Sequence, residues 1–377
     1  MAKIVRSNEA LNTEVDLKAP LNAPALVNPT INGVAQSGYT GFKNYIINGN
    51  FDVWQRGTSQ TVTGYGSDDR YSNFNVGSTK THSQVACSDT ERALFNASKF
   101  SRTIVSSVAG ASNVAGKLQL IEDITKLDRK TVTISFWVKA DAAKNIAIEF
   151  YQVFGIGGTP SSTLLGISPQ LVAITSTWQK KTITVTLPSI AGKTLGTDGV
   201  HTSATGVIFW FDAGSDLNSR AANLGQQSGT FDIAQVQLEE GSVATPFEQR
   251  PYGLELSLCQ RYYEKSYDRN TDIGTATLIG AAQSSALTNW LLSAPAVKYN
   301  VRKRTSPTVT LYNPYVPNQT GNAIEFNYAS VAVSDRAITT GVAIDINSET
   351  QLAIQAMGGV FIGGNVIVWH WTASAEL

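Results

Sequence analysis

The chain has 377 residues, with 29 basic and 29 acidic side chains and a formal net charge of zero. Only 15% of the residues are charged, against about 25% in an average globular protein. General nucleic-acid binding and polybasic attachment to membranes both need an excess of lysine and arginine, so the composition disfavours both classes of function.

The first 43 residues are predicted to form an extended N-terminal arm. Prolines at positions 20, 24 and 29 fix φ and restrict the residues before them, so a long helix cannot run through this segment. Its apolar residues recur too sparsely for an independent core. We expect four of them to anchor the arm against partner chains: Leu17, Leu21, Leu26 and Ile31. The alternative is an unstructured leader.

Residues 44–250 are predicted to be one β-rich domain. In Thr131–Lys139, apolar and polar side chains alternate with a period of two, which indicates a half-buried strand. Clusters of glycine, proline, asparagine and serine separate the candidates, a spacing typical of an antiparallel β-sandwich. The other strand candidates are Asn145–Phe154, Lys181–Pro188, Gly206–Phe211 and Phe231–Leu238.

A short helix is predicted to join this sandwich to a second β-domain. Within residues 251–266, Leu254, Leu258 and Tyr262 are spaced four apart, which places them on one face of a helix. We expect about three turns over Pro251–Lys265. Residues 267–377 then form a small C-terminal β-sandwich-like domain, with strand candidates at Thr308–Tyr312, Ala323–Tyr328, Ala343–Asn347 and Gly364–Thr372.

The sequence contains no motif for catalysis or metal binding that we recognise. It lacks a nucleophile elbow, a complete P-loop, a zinc-protease helix motif and an EF-hand. The cysteines and histidines are scattered without the spacing of a zinc site or a catalytic pair: Cys87, Cys259, His82, His201 and His370. We therefore expect a protein without metal or cofactor that is not an enzyme.

Neither a membrane span nor a cleaved signal peptide is expected. No run of residues approaches the roughly 18 apolar side chains that cross a bilayer. The N-terminus has no apolar stretch of the signal-peptide kind. We expect synthesis in the cytoplasm and no insertion into a membrane.

Carboxylate pairs of the glycosidase kind are not visible in the sequence. Such a pair must lie within roughly 5–10 Å, and the sequence shows no such proximity. We interpret the candidate acids as solvated or turn-capping groups: Asp68, Asp69, Asp212, Asp232, Glu239 and Glu240.

Aromatic side chains offer a better indication of a binding site. Proteins that bind sugars stack the apolar face of the sugar on an aromatic ring and fix its hydroxyls with amides and charged groups. Candidates are Tyr65, Tyr71 and Phe74 around Asp68–Arg70, the run Phe209, Trp210 and Phe211, the pair Tyr312 and Tyr315, and the tryptophans Trp290, Trp369 and Trp371. Core packing is the alternative for each, and we expect Phe136 and Trp137 to be structural.

Several segments resemble a known family. Asn44–Gly57 (NYIINGNFDVWQRG), Thr131–Ala140, Thr175–Pro188 and Phe231–Lys265 are similar to a jelly-roll module of bacteriophage tail fibres and receptor-binding proteins, itself similar to carbohydrate-binding modules. The resemblance covers residues 44–265. The Pro-rich N-terminal segment is similar to tail-fibre shafts and anchors, and Val368–Leu377 to the end of the small β-domain that often follows this jelly roll. Where related modules commonly have aspartate-arginine-tryptophan, this chain has Asp69-Arg70-Tyr71.

This resemblance implies a non-enzymatic phage tail fibre that attaches the virion to a host surface glycan. It implies a homotrimer, located in the virion, whose N-terminal arm binds tail or adaptor proteins. The host partner would be a surface polysaccharide or lipopolysaccharide. Two alternatives remain: a structural virion protein, such as an adaptor or decoration protein, and a glycan-degrading tailspike.

The receptor site is predicted in the C-terminal domain, which lies at the opposite end of the chain from the anchor. The polar, Pro-rich loop Tyr312–Thr320 combines aromatic rings with amide side chains, and its prolines restrict it before binding. The predicted carbohydrate-binding residues are Tyr312, Asn313, Tyr315, Asn318 and Gln319, with Tyr71 and Trp210 in the sandwich. The alternative role of this loop is a contact between subunits of the trimer.

Overall fold

The structure is a computed structural model that describes residues 30–31, 34–35, 42–198, 200–288, 291–293, 296–321, 323–326, 336–338, 342–356 and 366–377. The chain divides into two compact units, Met1–Lys43 and Asn44–Leu377. In the first unit, β1 (Thr30–Ile31) pairs antiparallel with β2 (Val34–Ala35). Ile31 therefore lies in a strand, whereas Leu17, Leu21 and Leu26 lie outside the described residues. The anchoring role of all four stays a prediction.

A β-sandwich occupies the first part of the second unit. Its strands are β3 (Ser59–Gln60), β4 (Ser72–Val76), β5 (Thr79–Ala86), β6 (Lys99–Ser106), β7 (Val114–Glu122), β8 (Thr131–Ala140), β9 (Lys144–Val153), β10 (Leu164–Ile174), β11 (Gln179–Thr186), β12 (Ala204–Ala213) and β13 (Gly229–Glu240). They form a six-stranded sheet, β11-β8-β13-β6-β5-β3, and a five-stranded sheet, β10-β9-β12-β7-β4. The pairs are antiparallel, so the predicted mostly-β sandwich is confirmed.

The alternating pattern of β8 shows why two sheets are needed. Val132, Ile134, Phe136 and Val138 are buried on the inner face, in the core between the sheets. Phe136 meets Phe209 of β12 edge-on, with ring centroids 5.2 Å apart. An apolar face of this kind is shielded from water only by a facing sheet. Phe136 is therefore a core residue, as expected.

Trp137 lies on the other face of β8 and is partly buried under a short helix. This helix, α1 (Asp89–Phe95), brings Phe95 to a ring-centroid distance of 6.0 Å from Trp137. Ser88 and Glu91 form a capping box at its N-terminus, in which each side chain binds the other residue's backbone N–H. Trp137 is thus structural, but it belongs to a satellite cluster rather than to the main core.

The predicted linking helix is shorter than expected. Helix α2 spans Tyr252–Gln260, and the residues Tyr263–Lys265 form strand β14 instead. β14 pairs antiparallel with β23 (Val366–Ser374), and both Tyr263 and Glu264 are buried. The backbone hydrogen bonds to β23 and this burial take the place of further helical turns.

The C-terminal region is built around β23. The strands between β14 and β23 are β15 (Ala282–Thr288), β16 (Leu291–Ser293), β17 (Val297–Lys298), β18 (Thr308–Tyr312), β19 (Ala323–Phe326), β20 (Arg336–Ile338), β21 (Val342–Asn347) and β22 (Gln351–Ala356). They form a seven-stranded sheet around β23 and a three-stranded sheet, β17-β22-β21. A second apolar cluster includes Leu311, Trp369 and Trp371. Within the described ranges, no helix has the length and apolar content to cross a membrane.

Candidate functional site

Two of the segments that carry the family resemblance, Asn44–Gly57 and Phe231–Lys265, meet at a junction between the sandwich and the C-terminal strands. The Asn48 side chain donates to the carbonyls of Val53 (2.8 Å) and Asp69 (3.0 Å). The Asp69 carboxylate accepts from the backbone N–H of Gln55 at 2.8 Å, and the Gln55 side chain donates to the carbonyl of Tyr263 at 2.9 Å. Hydrogen bonds therefore join the sandwich to β14.

Two arginines complete the junction on either side of the C-terminal tail. Arg56 and Arg70 both pair with Glu376. The Arg70 guanidinium lies 3.4 Å from the ring centroid of Tyr262, and that of Arg56 lies 3.6 Å from the ring centroid of Tyr263. Asp69-Arg70-Tyr71 is thus a buried structural element that holds the two regions together.

The acids interpreted as solvated or turn-capping are in fact mostly buried, and that interpretation is wrong. Asp212 accepts hydrogen bonds from Ser78 and Ser107, and Asp232 accepts a bidentate pair from Arg102 at 2.7 and 2.8 Å. Such partners offset the cost of taking a carboxylate out of water. The buried members are Asp68, Asp69, Asp212, Asp232 and Glu239, whereas Glu240 is partly buried.

An interior charge cluster, defined as Asp68, His82, Ser101 and Lys117, links the two sheets. His82 of β5 and Ser101 of β6 belong to the six-stranded sheet, and Lys117 of β7 belongs to the five-stranded sheet. His82 Nε2 lies 2.9 Å from Asp68 Oδ1, and the Lys117 ammonium pairs with the Asp68 carboxylate and with Ser101. Asp68, His82 and Lys117 are at most 1% exposed. The cluster is therefore sealed from ligands.

Burial and mutual charge set the protonation of this cluster. Burial lowers the pKa of His82 to about 4, against the attraction of Asp68. Burial likewise lowers the pKa of Lys117 to about 8, again opposed by Asp68. Burial favours the neutral acid, but His82 and Lys117 outweigh it and hold the pKa of Asp68 below its ordinary value. An ionised Asp68 and a neutral His82 are therefore the states expected at neutral pH.

An open pocket of about 140 Å³ lies beside this cluster, where the sandwich meets the segment that follows β14. We call it the Trp54 pocket. The Trp54 ring also stacks on His82, with centroids 6.0 Å apart. The lining residues are Asp52, Trp54, Gln55, Gly57, Thr58, Gln84, Lys99, Tyr252, Lys265, Arg269, Asn270 and Asp272.

The Trp54 pocket brings rings and charges together. The Arg269 guanidinium lies 4.0 Å from the ring centroid of Tyr252. Burial raises the pKa of Asp52, although a hydrogen bond from Asn50 and the charges of Lys99 and Arg269 oppose it. Burial lowers the pKa of Lys99, and repulsion from Arg269 lowers it further. This mixture of aromatic, amide and charged groups is suited to a small polar ligand.

The sandwich residues predicted to bind carbohydrate are buried instead. Tyr71 is 0% exposed and stacks on Phe51, with centroids 5.0 Å apart. Trp210 is 3% exposed, its indole N–H donates to Glu149 at 3.0 Å, and the guanidinium of Arg220 lies 5.2 Å from its ring centroid. Neither ring has a free face for a sugar, so both predicted roles are corrected to packing. Neither residue lines the Trp54 pocket.

The predicted receptor loop is present, and its own hydrogen bonds hold it together. Asn313 is fully buried, and its side-chain oxygen accepts from the backbone N–H groups of Tyr315 (2.8 Å) and Val316 (3.1 Å). Its amide nitrogen donates to the side chain of Gln319. Tyr312 and Tyr315 are partly buried, whereas Asn318 is exposed. The structure thus brings the five residues together, and their binding role stays a prediction.

The other aromatic candidates are distributed between core and surface. Phe209, Phe211, Trp369 and Trp371 are buried, and Tyr65 and Phe74 are partly buried. Trp290 lies outside the described residues. The lining residues Trp54 and Tyr252 were not predicted as binding residues, although both lie in segments that carry the family resemblance.

No protein-family model and no curated protein sequence matches the chain. Among solved structures it is similar to a family 4 carbohydrate-binding module, with 18% identity over 52% of this chain and 98% of that one, at a TM-score of 0.27. It is also similar to a family 11 carbohydrate-binding module from Clostridium thermocellum in complex with a β-1,3-1,4-mixed-linked tetrasaccharide. The identity is 12% over 50% of this chain and 98% of that one, and the TM-score is 0.30. For the enzymatically active domain of tailspike protein 4 from bacteriophage CBA120, the identity is 12% over 52% of this chain and 21% of that one, and the TM-score is 0.28. Each of these likenesses extends over about half of this chain.

Proposed function

We propose that this chain is a non-enzymatic glycan-binding protein that attaches a bacteriophage to its host. The observation that carries the proposal is the Trp54 pocket. It brings the partly exposed ring of Tyr252, at the edge of the largely buried ring of Trp54, together with the side-chain amides of Gln84 and Asn270. An aromatic ring offers an apolar platform for one face of a sugar, and the amides offer directional hydrogen bonds to its hydroxyls.

The size of the pocket limits what it can hold. Its volume of about 140 Å³ is below the roughly 300–1,000 Å³ of pockets for drug-sized ligands. A single sugar unit, at a chain end or on a side branch, fits this size better than a long oligosaccharide. Binding by one such site would be weak. Several copies on a repetitive surface would raise the avidity by about 10²–10⁴ if they engage together.

The assignment to a phage tail rests on the family resemblance of Asn44–Gly57 and Phe231–Lys265. We propose a homotrimer in the virion whose arm, Met1–Lys43, binds tail or adaptor proteins and whose host partner is a surface polysaccharide or lipopolysaccharide. Light scattering should give about three times the chain mass of 40.4 kDa. A stable monomer would contradict the trimer. Labelling of the virion would separate a tail location from the alternative, a structural adaptor or decoration protein on the shell.

A glycan array tests the site directly and compares it with the loop predicted from the sequence. Tyr252→Ala should weaken binding about tenfold, because it removes one ring of the pocket. The double variant Tyr312→Ala, Tyr315→Ala should bind as the unmodified protein does. The opposite result, loss only in the double variant, would move the site to the loop Tyr312–Thr320.

A glycan-degrading tailspike is the second candidate, because two carboxylates, Asp52 and Asp272, line the same pocket. Glycoside hydrolysis commonly uses a carboxylate pair, one acting as acid and the other as base or nucleophile. Incubation with bound polysaccharide should release no new reducing ends. Release that disappears in Asp52→Asn would contradict the non-enzymatic proposal.

A further inference from the structure

The charges of the Trp54 pocket are unequal. Three cationic residues line it, Lys99, Lys265 and Arg269, against two carboxylates, Asp52 and Asp272. The whole chain is neutral, so this local excess is not a reflection of the overall composition. A pocket with an excess positive charge favours a ligand that brings a negative one.

Arg269 is the cation best placed to meet a ligand. Its guanidinium lies 4.0 Å from the ring centroid of Tyr252, and the residue is exposed. Within the part of the chain that the structure describes, no acceptor forms a hydrogen bond to this guanidinium. A planar guanidinium offers parallel N–H donors that match the two oxygens of a carboxylate. Among the described residues, Arg269 therefore provides a bidentate donor that is exposed to solvent and has no protein acceptor, beside the ring of Tyr252.

The other two cations have different roles. The ammonium of Lys265 donates to the carbonyl of Thr271 at 2.6 Å, so it is already engaged with the backbone. Lys99 lies close enough to Arg269 for their charges to repel, which contributes to the lowered pKa of Lys99. An anion bound near both groups would relieve this repulsion. The site thus gains electrostatic energy from an anion that it would not gain from a neutral sugar.

We propose that the Trp54 pocket selects a sugar unit that carries a carboxylate, such as a uronic acid. The inference rests on the proposed function and names the class of glycan. The carboxylate of the sugar binds Lys99 and the guanidinium of Arg269, which lies over the Tyr252 ring, the sugar ring packs at the edge of this stack, and Asp52 accepts from a ring hydroxyl. Since Asp52 also lines the pocket, its negative charge would disfavour a second acidic group on the ligand.

A glycan array in which each uronic-acid oligosaccharide is printed beside its carboxyl-reduced, neutral counterpart provides the test. The unmodified protein should prefer the acidic member of a pair about tenfold. Arg269→Gln should abolish that preference, and Arg269→Lys should keep part of it because the charge remains. Asp52→Asn should strengthen binding of the acidic member. Arg302→Gln is the matched control, since Arg302 pairs with Glu349 on the surface and does not line the pocket.

The outcomes separate this inference from the proposed function. Equal binding to acidic and reduced glycans would overturn the inference and leave glycan binding in place. Binding to no glycan at all would overturn both. The assignment to Arg269 would also be overturned if Arg269→Gln kept the full preference for the acidic glycan. It would be overturned as well if Arg302→Gln lost that preference to the same extent.

Discussion

Trp54 lines the Trp54 pocket and stacks on His82 of the interior charge cluster, yet the two sites differ in their access to solvent. Both combine carboxylates, cations and aromatic rings. In the cluster, the carboxylate of Asp68 pairs with Lys117 and is sealed between the sheets. In the pocket, Arg269 and Asp272 are exposed and Asp52 is partly exposed. Similar residue types thus stabilise the fold in one place and are available to a ligand in the other.

The charged pair Asp69 and Arg70 belongs to the structural part of the molecule. In the sequence, Asp69 and Arg70 lie among the candidate sugar-binding aromatic residues, but Arg70 is buried against Tyr262 and Glu376. Its role is to join the C-terminal tail to the sandwich. Access to solvent, rather than residue type, separates Arg269, Asn270 and Asp272 of the pocket from the structural residues.

The largest expected effect is loss of stability when the cluster is broken. Asp68→Asn leaves the ammonium of Lys117 buried without its carboxylate, and breaking a buried pair in this way costs about 3–5 kcal/mol. The matched control is Asp272→Asn in the pocket, an exposed position where we expect a change within about 0.5 kcal/mol. Denaturant unfolding measures both free energies of unfolding. Equal values for the two variants would contradict the distinction between the sites.

The next effect is the contribution of His82, in the interior charge cluster, to the dependence of stability on pH. The folded-state pKa of His82 is lowered to about 4 from an ordinary value of 6.5. The unfolded chain therefore binds a proton first as the pH falls below 6.5, and the native state loses stability between pH 6.5 and 4. The expected loss in the free energy of unfolding is about 3 kcal/mol, at about 1.4 kcal/mol per pKa unit.

A variant isolates this contribution of His82. Burial raises the pKa of Asp69 to about 6, so Asp69 makes the native state more stable as the pH falls through the same range. The total slope of stability against pH therefore does not isolate the contribution of His82. We expect the unmodified protein to lose more stability than His82→Gln between pH 6.5 and 4. Identical slopes in thermal unfolding across this range would show that His82 is not held neutral.

The smallest expected effect is at the shared residue. Trp54→Phe removes the hydrogen bond from the indole N–H to the carbonyl of Phe51, which measures 2.6 Å. We expect a loss of about 1 kcal/mol in the free energy of unfolding, with glycan binding weakened less than in Tyr252→Ala because an aromatic ring remains. If Trp54→Phe weakened glycan binding more than Tyr252→Ala does, Trp54 would be the main aromatic contact of the sugar.

Local patterns in the sequence predicted much of the fold. The alternation in Thr131–Lys139 depends only on neighbouring residues, and strand β8 ends within one residue of it. Ser88 and Glu91 also carry a capping signal that sequence alone contains, although α1 was not predicted. The linking helix was predicted too long, because pairing of Tyr263–Lys265 with β23 involves residues about a hundred positions away.

The candidate site could not be predicted in the same way. Burial of Arg70 depends on Glu376, 306 residues later in the sequence. Trp210 has the type of side chain on which a sugar stacks, but Arg220 and Glu149 contact it. The Trp54 pocket collects side chains from several distant segments, so no local pattern contains it. Only the family resemblance marked the segments of Trp54 and Tyr252 as related.

The most direct test of the central claim is a crystal structure of the protein with the acidic glycan that binds most tightly on the array. We expect the sugar in the Trp54 pocket at the edge of the stack of Arg269 on Tyr252, with its carboxylate oxygens about 2.7–2.9 Å from the Arg269 guanidinium. A sugar bound at the loop Tyr312–Thr320, with no sugar in the Trp54 pocket, would contradict the account.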